Sequence, residues 1–353
     1  MWINDAIPRT GWSELCPEID FIAAKARIEE GIQATPLLPL PVTGMGLRVL
    51  GKMENRQKTG SFKARGALNN LAMLNPEERS RGVVASSSGN HGQALAWAAK
   101  ASGVPAFIVM PENSYANKIE ACRAHGAEVI LAPDRPRADE IAEELANEGK
   151  VWIHPYDRPG TIEGAGTVGL EIYDEVPDVD VVLLCVGGGG LSAGSALALR
   201  RRREAAGQAQ PVVIGVEPMG AATMDAGLHA GQSVRLHPIT SKVQGLNTPF
   251  AGEHNVSINR RVLDATMSVS DEAIYAAQRV LVNDDAIHGW SRETVEPAGA
   301  AAYALACEPT FPGRLSQLLV ERGREAVNVR GLSITVSVSG GNPDPDQLEG
   351  LRS

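Results

Sequence analysis

Between Gly82 and His154 the chain alternates short apolar runs with stretches of helical pattern, and this alternation limits its possible folds more than any other feature. The apolar runs are Val83 to Ala85, Ala106 to Met110, Ala127 to Leu131 and Val151 to His154. Between them, Gln93 to Lys100, Tyr115 to Ala124 and Ala138 to Asn147 have the length and composition of helices. Strands separated by helices are joined by crossovers, so they pair in parallel, and the helices must cover both faces of the sheet. Gly103, Gly126 and Gly149 each follow one of these helices, where a left-handed residue closes the last turn.

A second α/β stretch follows the loop from His154 to Gly160. It has a helix from Thr167 to Glu175, the strand Val179 to Val186, a helix from Ser192 to Arg203 and the strand Val212 to Glu217. Further on come Val262 to Val269, helices over Glu272 to Val282 and Pro297 to Cys307, and a last strand, Ile334 to Val338. The 353 residues are enough for two domains. The expected fold is α/β, with open, twisted, parallel-rich sheets flanked by helices and a ligand cleft between the domains. A small domain spans 69–155, and a discontinuous large domain takes 1–68 and 156–353.

A net charge of −9 argues against nucleic acid, whose binders neutralise phosphates with Lys and Arg. A small-molecule partner fits better. No apolar run is long enough to cross a membrane, and the N-terminus has no basic segment leading into an apolar one, so a cytoplasmic protein is expected. Cys16, Cys122, Cys185 and Cys307 are far apart and expected to be free thiols; no His cluster has metal-ligand spacing.

Four polar loops carry the candidate chemistry. Gly187 to Gly190, with Leu191, follow an apolar strand and open a helix, where backbone N–H groups and the helix N-terminus suit a phosphate. A plain turn would not need four glycines, each with an entropic cost. Lys63 stands in Ser61-Phe62-Lys63-Ala64-Arg65-Gly66-Ala67, with Thr59 to Ser61 as loop and N-cap. The helix dipole and Arg65 are expected to disfavour its ammonium, as a Schiff-base amine requires. Ser86 to Gly92 end one strand and begin a helix, offering hydroxyls, an amide and N–H groups to a carboxylate or a phenolic oxygen. Ser339-Gly340-Gly341-Asn342 closes the last strand. A competing pattern is present: Gly188 to Ala193 fits the dinucleotide fingerprint, with Glu217 in place for a ribose, and would make the chain an NAD-dependent dehydrogenase. It leaves the other three loops unexplained.

Taken together, Thr35-Pro36-Leu37, Ser61 to Ala67, Ser87 to Gly92, Gly187 to Leu191, Val295-Glu296-Pro297 and Ser339 to Asn342 resemble the serine/threonine dehydratase and serine racemase group of fold-type II pyridoxal phosphate enzymes, in the tryptophan synthase β-subunit superfamily. The match covers nearly the whole chain. The resemblance implies that Lys63, beside Phe62, bears pyridoxal 5′-phosphate, that Asn90 meets the ring 3′-oxygen, that Gly187 to Leu191 hold the phosphate and that Ser339 faces the pyridine nitrogen. Ser88 would stand opposite Lys63, and Ser87, Ser88, Asn90 and His91 would receive the substrate carboxylate. The implied reaction is β-elimination of a 3-hydroxy-L-amino acid such as threonine or serine to a 2-oxo acid and ammonia. Larger or acidic analogues (phenylserine, 3-hydroxyaspartate) and serine or aspartate racemisation are the alternatives, and a homodimer is implied. Glu217, Ala221 and Thr223 occupy positions where many relatives bind Mg²⁺ or Ca²⁺, but Thr223 stands where those relatives carry an acid. At Pro133 to Arg137, relatives place an arginine that meets a second substrate carboxylate; the expectation here is that Arg135 and Arg137 face solvent.

Overall fold

The computed structural model describes every residue except 5, 6, 8, 9, 43, 44, 284–292, 324–327 and 353. Its strands are β1 (Leu37–Leu40), β2 (Arg48–Lys52), β3 (Val83–Ser86), β4 (Ala106–Pro111), β5 (Glu128–Ala132), β6 (Val151–Trp152), β7 (Val181–Cys185), β8 (Val212–Pro218), β9 (Ala265–Val269) and β10 (Ser333–Ser337). They form two sheets. The smaller runs β5-β4-β3-β6 and is parallel throughout; the larger runs β1-β2-β10-β7-β8-β9 and is parallel except for β1 against β2.

Strand β7 shows why the larger sheet must be covered twice. All five of its residues are buried. Val181, Leu183 and Cys185 pack on one side with the alanine-rich helix Pro297–Cys307, and Val182 and Leu184 pack on the other with helices Pro159–Glu175 and Gly190–Ala205. Each Val or Leu so buried contributes about 1.5–3 kcal/mol. The helices of the smaller sheet end as expected, with Gly103, Gly126 and Gly149 all at positive φ.

Two expectations are corrected. The helix placed at Thr167 to Glu175 begins eight residues earlier, at Pro159. Its glycines hide it, because each lowers helix propensity; they are there for close approach. A Cβ on Gly169 would lie 2.1 Å from the Ser195 carbonyl oxygen, and one on Gly194 would lie 2.3 Å from that of Ile162. The hairpin β1–β2 went unread because Pro39 interrupts the strand pattern, which only an edge strand such as β1 tolerates.

Candidate active site

Strands β3, β7 and β10 all end at one cavity of about 180 Å³, at the carboxyl edges of the sheets, where ligands of parallel α/β proteins sit. Phe62, Lys63, Ser87, Ser88, Asn90, His91, Gly187 to Leu191 and Ser339 line it together. Every residue expected around the cofactor or the substrate is thus brought to one place; only the metal trio lies elsewhere.

Lys63 opens helix Lys63–Met73. Its Nζ donates to the Pro155 carbonyl at 2.6 Å and stands 4.9 Å above the Phe62 ring. Burial pushes the ammonium down to about 8, with Glu296 pulling the other way. Arg65 has no part in this, contrary to expectation, because its guanidinium turns away and is neutralised by Glu54 (2.7 Å) and Glu171 (2.6 Å) in a buried cluster. Nor is Ser61 an N-cap: its extended backbone bridges Gly340 and its hydroxyl is buried without a partner, so Phe62 takes the cap position.

Among the described residues, no amide from Gly187 to Leu191 donates to a protein acceptor. The carbonyls of this loop are drawn away: Asn255 Nδ2 donates to Gly188 O at 2.8 Å and Asn259 Nδ2 to Gly189 O at 3.2 Å. What remains is a row of free N–H groups at a helix N-terminus, a site made for a phosphate. The glycines also serve the protein side. A Cβ on Gly188 would sit 2.2 Å from a Tyr156 ring carbon, and Gly189 has φ +93°.

The turn after β3 is built similarly. The Ser87 hydroxyl accepts from Gly89 N at 3.4 Å and Gly92 N at 3.2 Å, while the amides of Ser88, Asn90 and His91 have no protein acceptor among the described residues. His91 is buried, with Nε2 2.8 Å from Ile153 O, and burial followed by the charge of Lys63 pushes it down to about 3. Nε2 therefore carries the proton, leaving Nδ1 a bare lone pair that cannot receive a carboxylate; the backbone N–H of His91 is the group able to do so. The Ser339 hydroxyl donates to Ala298 O over a long 3.3 Å, so its hydrogen can swing to a ligand nitrogen.

The nest of amides, the depressed lysine and the facing hydroxyl fit pyridoxal phosphate, and the comparisons agree. A family model described as pyridoxal-phosphate dependent enzyme matches residues 28–318. The chain belongs to that family. This pyridoxal-phosphate dependent enzyme is 36% identical to the L-threonine ammonia-lyase of Thermotoga maritima over 84% of its length and 68% of the relative's. It is 35% identical to the L-threo-3-hydroxyaspartate ammonia-lyase of Saccharomyces cerevisiae, covering 81% of this chain and 85% of that one. Among solved structures, maize serine racemase superposes with a TM-score of 0.80 at 32% identity, covering 94% of each chain. Ammonia-lyases are therefore among its relatives, and no helix among its described residues is long and apolar enough to cross a membrane.

In this enzyme Glu217 caps the start of a helix. Its fully buried carboxylate accepts from Met224 N (2.7 Å) and Asp225 N (2.9 Å) at the start of helix Thr223–Ala230, and burial pushes it up to about 8. Both of its oxygens are taken by those backbone amides, and Ala221 and Thr223 add no second carboxylate for a hard cation. Thr223 Oγ1 is buried without a partner, yet no three His, Cys, Asp or Glu gather around a common point among the described residues. These residues do not fit Mg²⁺ or Ca²⁺.

Several lining residues escaped the sequence reading. Tyr156 packs its ring on the phosphate loop, and the surplus of glycine there was the only trace of it. Glu296 was visible only within a motif; here it reaches Asn90. Arg135 lines both the inner cavity and an outer vestibule of about 930 Å³, whereas Arg137 is exposed and bound to Glu140 and Glu144. Both arginines reach solvent as expected, Arg135 doing so at the mouth of the cleft, where it pairs with Asp139.

Proposed function

We propose that the enzyme removes water and then ammonia from a 3-hydroxy-L-amino acid of the serine/threonine type. The observation that carries this is the convergence of Lys63, the Gly187 to Leu191 amides, the Ser87 to His91 turn and Ser339 on one cavity. Pyridoxal phosphate, when bound, supplies a sink for the electron pair left at the substrate α-carbon. Lys63 would hold the cofactor through its amine, and that amine, buried beside Phe62 and facing the Pro155 carbonyl, would take the α-proton when free. The free amides of Ser88, Asn90 and His91 receive the α-carboxylate. Ser339, a hydroxyl rather than a carboxylate, leaves the ring nitrogen without a proton donor of low pKa, which weakens the sink and favours rapid loss of the β-hydroxyl. The enamine released into water tautomerises and hydrolyses to a 2-oxo acid and ammonia.

Arg135 supports a second reading, in which the substrate is 3-hydroxyaspartate. It stands at the junction of the two cavities, and a guanidinium there can take a second carboxylate bidentately, although Asp139 holds its Nε at 3.1 Å. Ammonia and 2-oxo acid release should be measured for L-serine, L-threonine, L-threo-3-hydroxyaspartate and phenylserine with the wild type, Arg135→Ala and Arg137→Ala. A selective loss on 3-hydroxyaspartate in Arg135→Ala alone would establish the second reading. Conversion of L-serine to D-serine without ammonia would overturn both.

A further inference from the structure

Asn90 is the residue proposed to meet the ring oxygen of pyridoxal phosphate, yet its side-chain amide is almost entirely engaged by the protein. Its Oδ1 accepts from Asn342 Nδ2 at 2.9 Å and from Lys118 Nζ at 3.5 Å, and its Nδ2 donates to Glu296 Oε1 at 2.5 Å. Asn342 cannot turn round, because its Nδ2 also donates to Thr59 O at 2.7 Å. Thr59 itself holds φ 59°, a left-handed conformation uncommon for a residue other than glycine. Lys118 is anchored in turn on Asn342 O at 2.6 Å. Asn90 and Lys118 come from helices of the smaller sheet, while Glu296 and Asn342 come from the other side of the cleft.

We propose that Glu296 is a positioning residue that locks the Asn90 amide in the one orientation whose single unused N–H serves the cofactor. Reversing the amide would set its NH₂ against the Asn342 NH₂ and the Lys118 ammonium, and its carbonyl against the Glu296 carboxylate. Three hydrogen bonds would be lost at once. In the locked state Asn90 offers a ligand one donor and no acceptor, so it accepts the ring oxygen as an oxyanion and discriminates against the protonated hydroxyl. The surroundings are shaped for this. Glu296 occupies the N-cap position of helix Pro297–Cys307 but makes no capping bond with its side chain, and a Cβ on Gly340 would lie 2.1 Å from Glu296 Oε1. Gly340 is what gives the carboxylate room.

The inference rests on the reading that Asn90 touches the cofactor, and a double-mutant cycle separates the two. Wild type, Asn90→Ala, Glu296→Ala and the double variant, stripped of cofactor, are titrated with pyridoxal phosphate, following affinity and the long-wavelength absorbance band. Each single change should weaken affinity by about three- to tenfold, the worth of one hydrogen bond, and shift absorbance toward the protonated hydroxyl form. The double variant should be no weaker than the weaker single. Glu296→Gln keeps an acceptor oxygen and should retain near-wild-type affinity. Glu296→Ser, too short to reach Asn90, stands in for Glu296→Ala if that variant does not fold. Independent, multiplying effects of Glu296 and Asn90 would overturn the proposal, as would an unaltered Glu296→Ala. If Asn90→Ala alone changes nothing, it is the placing of Asn90 on the cofactor that fails.

Discussion

Lys63→Met should stabilise the cofactor-free protein, and the gain should depend on pH in a way that packing alone cannot mimic. In the folded chain burial holds the ammonium at about 8 rather than its ordinary 10.5. At about 1.4 kcal/mol for each tenfold change, the folded state carries a ceiling of about 3.5 kcal/mol whenever the amine is charged, reduced by whatever water reaches it from the cleft. Below pH 8 the amine is charged in both folded and unfolded chains, so the cost is fully present. Between 8 and 10.5 the unfolded chain binds more protons than the folded one, and wild-type stability rises with pH. Methionine is similar in size and has nothing to titrate. Its advantage should therefore be largest near neutrality, fall through that window and vanish above it. Urea unfolding of the two cofactor-free proteins across the window measures the difference directly. An advantage that does not change with pH, or none at all, would refute the placement of the amine in a desolvated site.

Gly188→Val should cost about five- to hundredfold in cofactor retention, because overpacking by about 1–3 kcal/mol against the Tyr156 ring would push the amide row out of line; cofactor bound per subunit is the measure. Ser339→Asp should offer the ring nitrogen a proton and shift turnover from ammonia release toward transamination, read as accumulated pyridoxamine phosphate. Glu217→Gln should stabilise increasingly as pH rises from 4.5 to about 8, since across that range the folded carboxyl keeps a proton that the unfolded one has lost; thermal melts at several pH values test it. Borohydride reduction should leave the pyridoxyl label on Lys63, identified by peptide mass.

The site was legible where chemistry is written locally. The run Gly187 to Gly190 after an apolar strand, the Ser86 to Gly92 turn and the Ser339 to Asn342 loop each announce a function by residue type and order, and a parallel α/β fold brings all three to the same sheet edges. What stayed hidden depends on meetings between distant segments. Nothing near Gly188 names Tyr156 as the ring that lies on it, and nothing near Val295 shows that Glu296 bypasses its own helix to reach Asn90. The effect ascribed to Arg65 failed for the same reason, since its neutralising partners lie eleven residues before it, at Glu54, and far after it, at Glu171. The helix from Pro159 was obscured by the very glycines that let it press against its neighbour.

The passage of chain from Ile153 to Asp157 leads from strand β6 of the smaller sheet past the site cavity into helix Pro159–Glu175, which covers the larger sheet. On that short path the Ile153 carbonyl engages His91, the Pro155 carbonyl receives the Lys63 amine, Tyr156 lies against the phosphate loop and Asp157 accepts from the amides of Glu253 and Asn255. This second of the two connections between the sheets is thus also a wall of the site cavity. Displacing this segment would disturb the Lys63 amine and the Gly187 to Leu191 amides together.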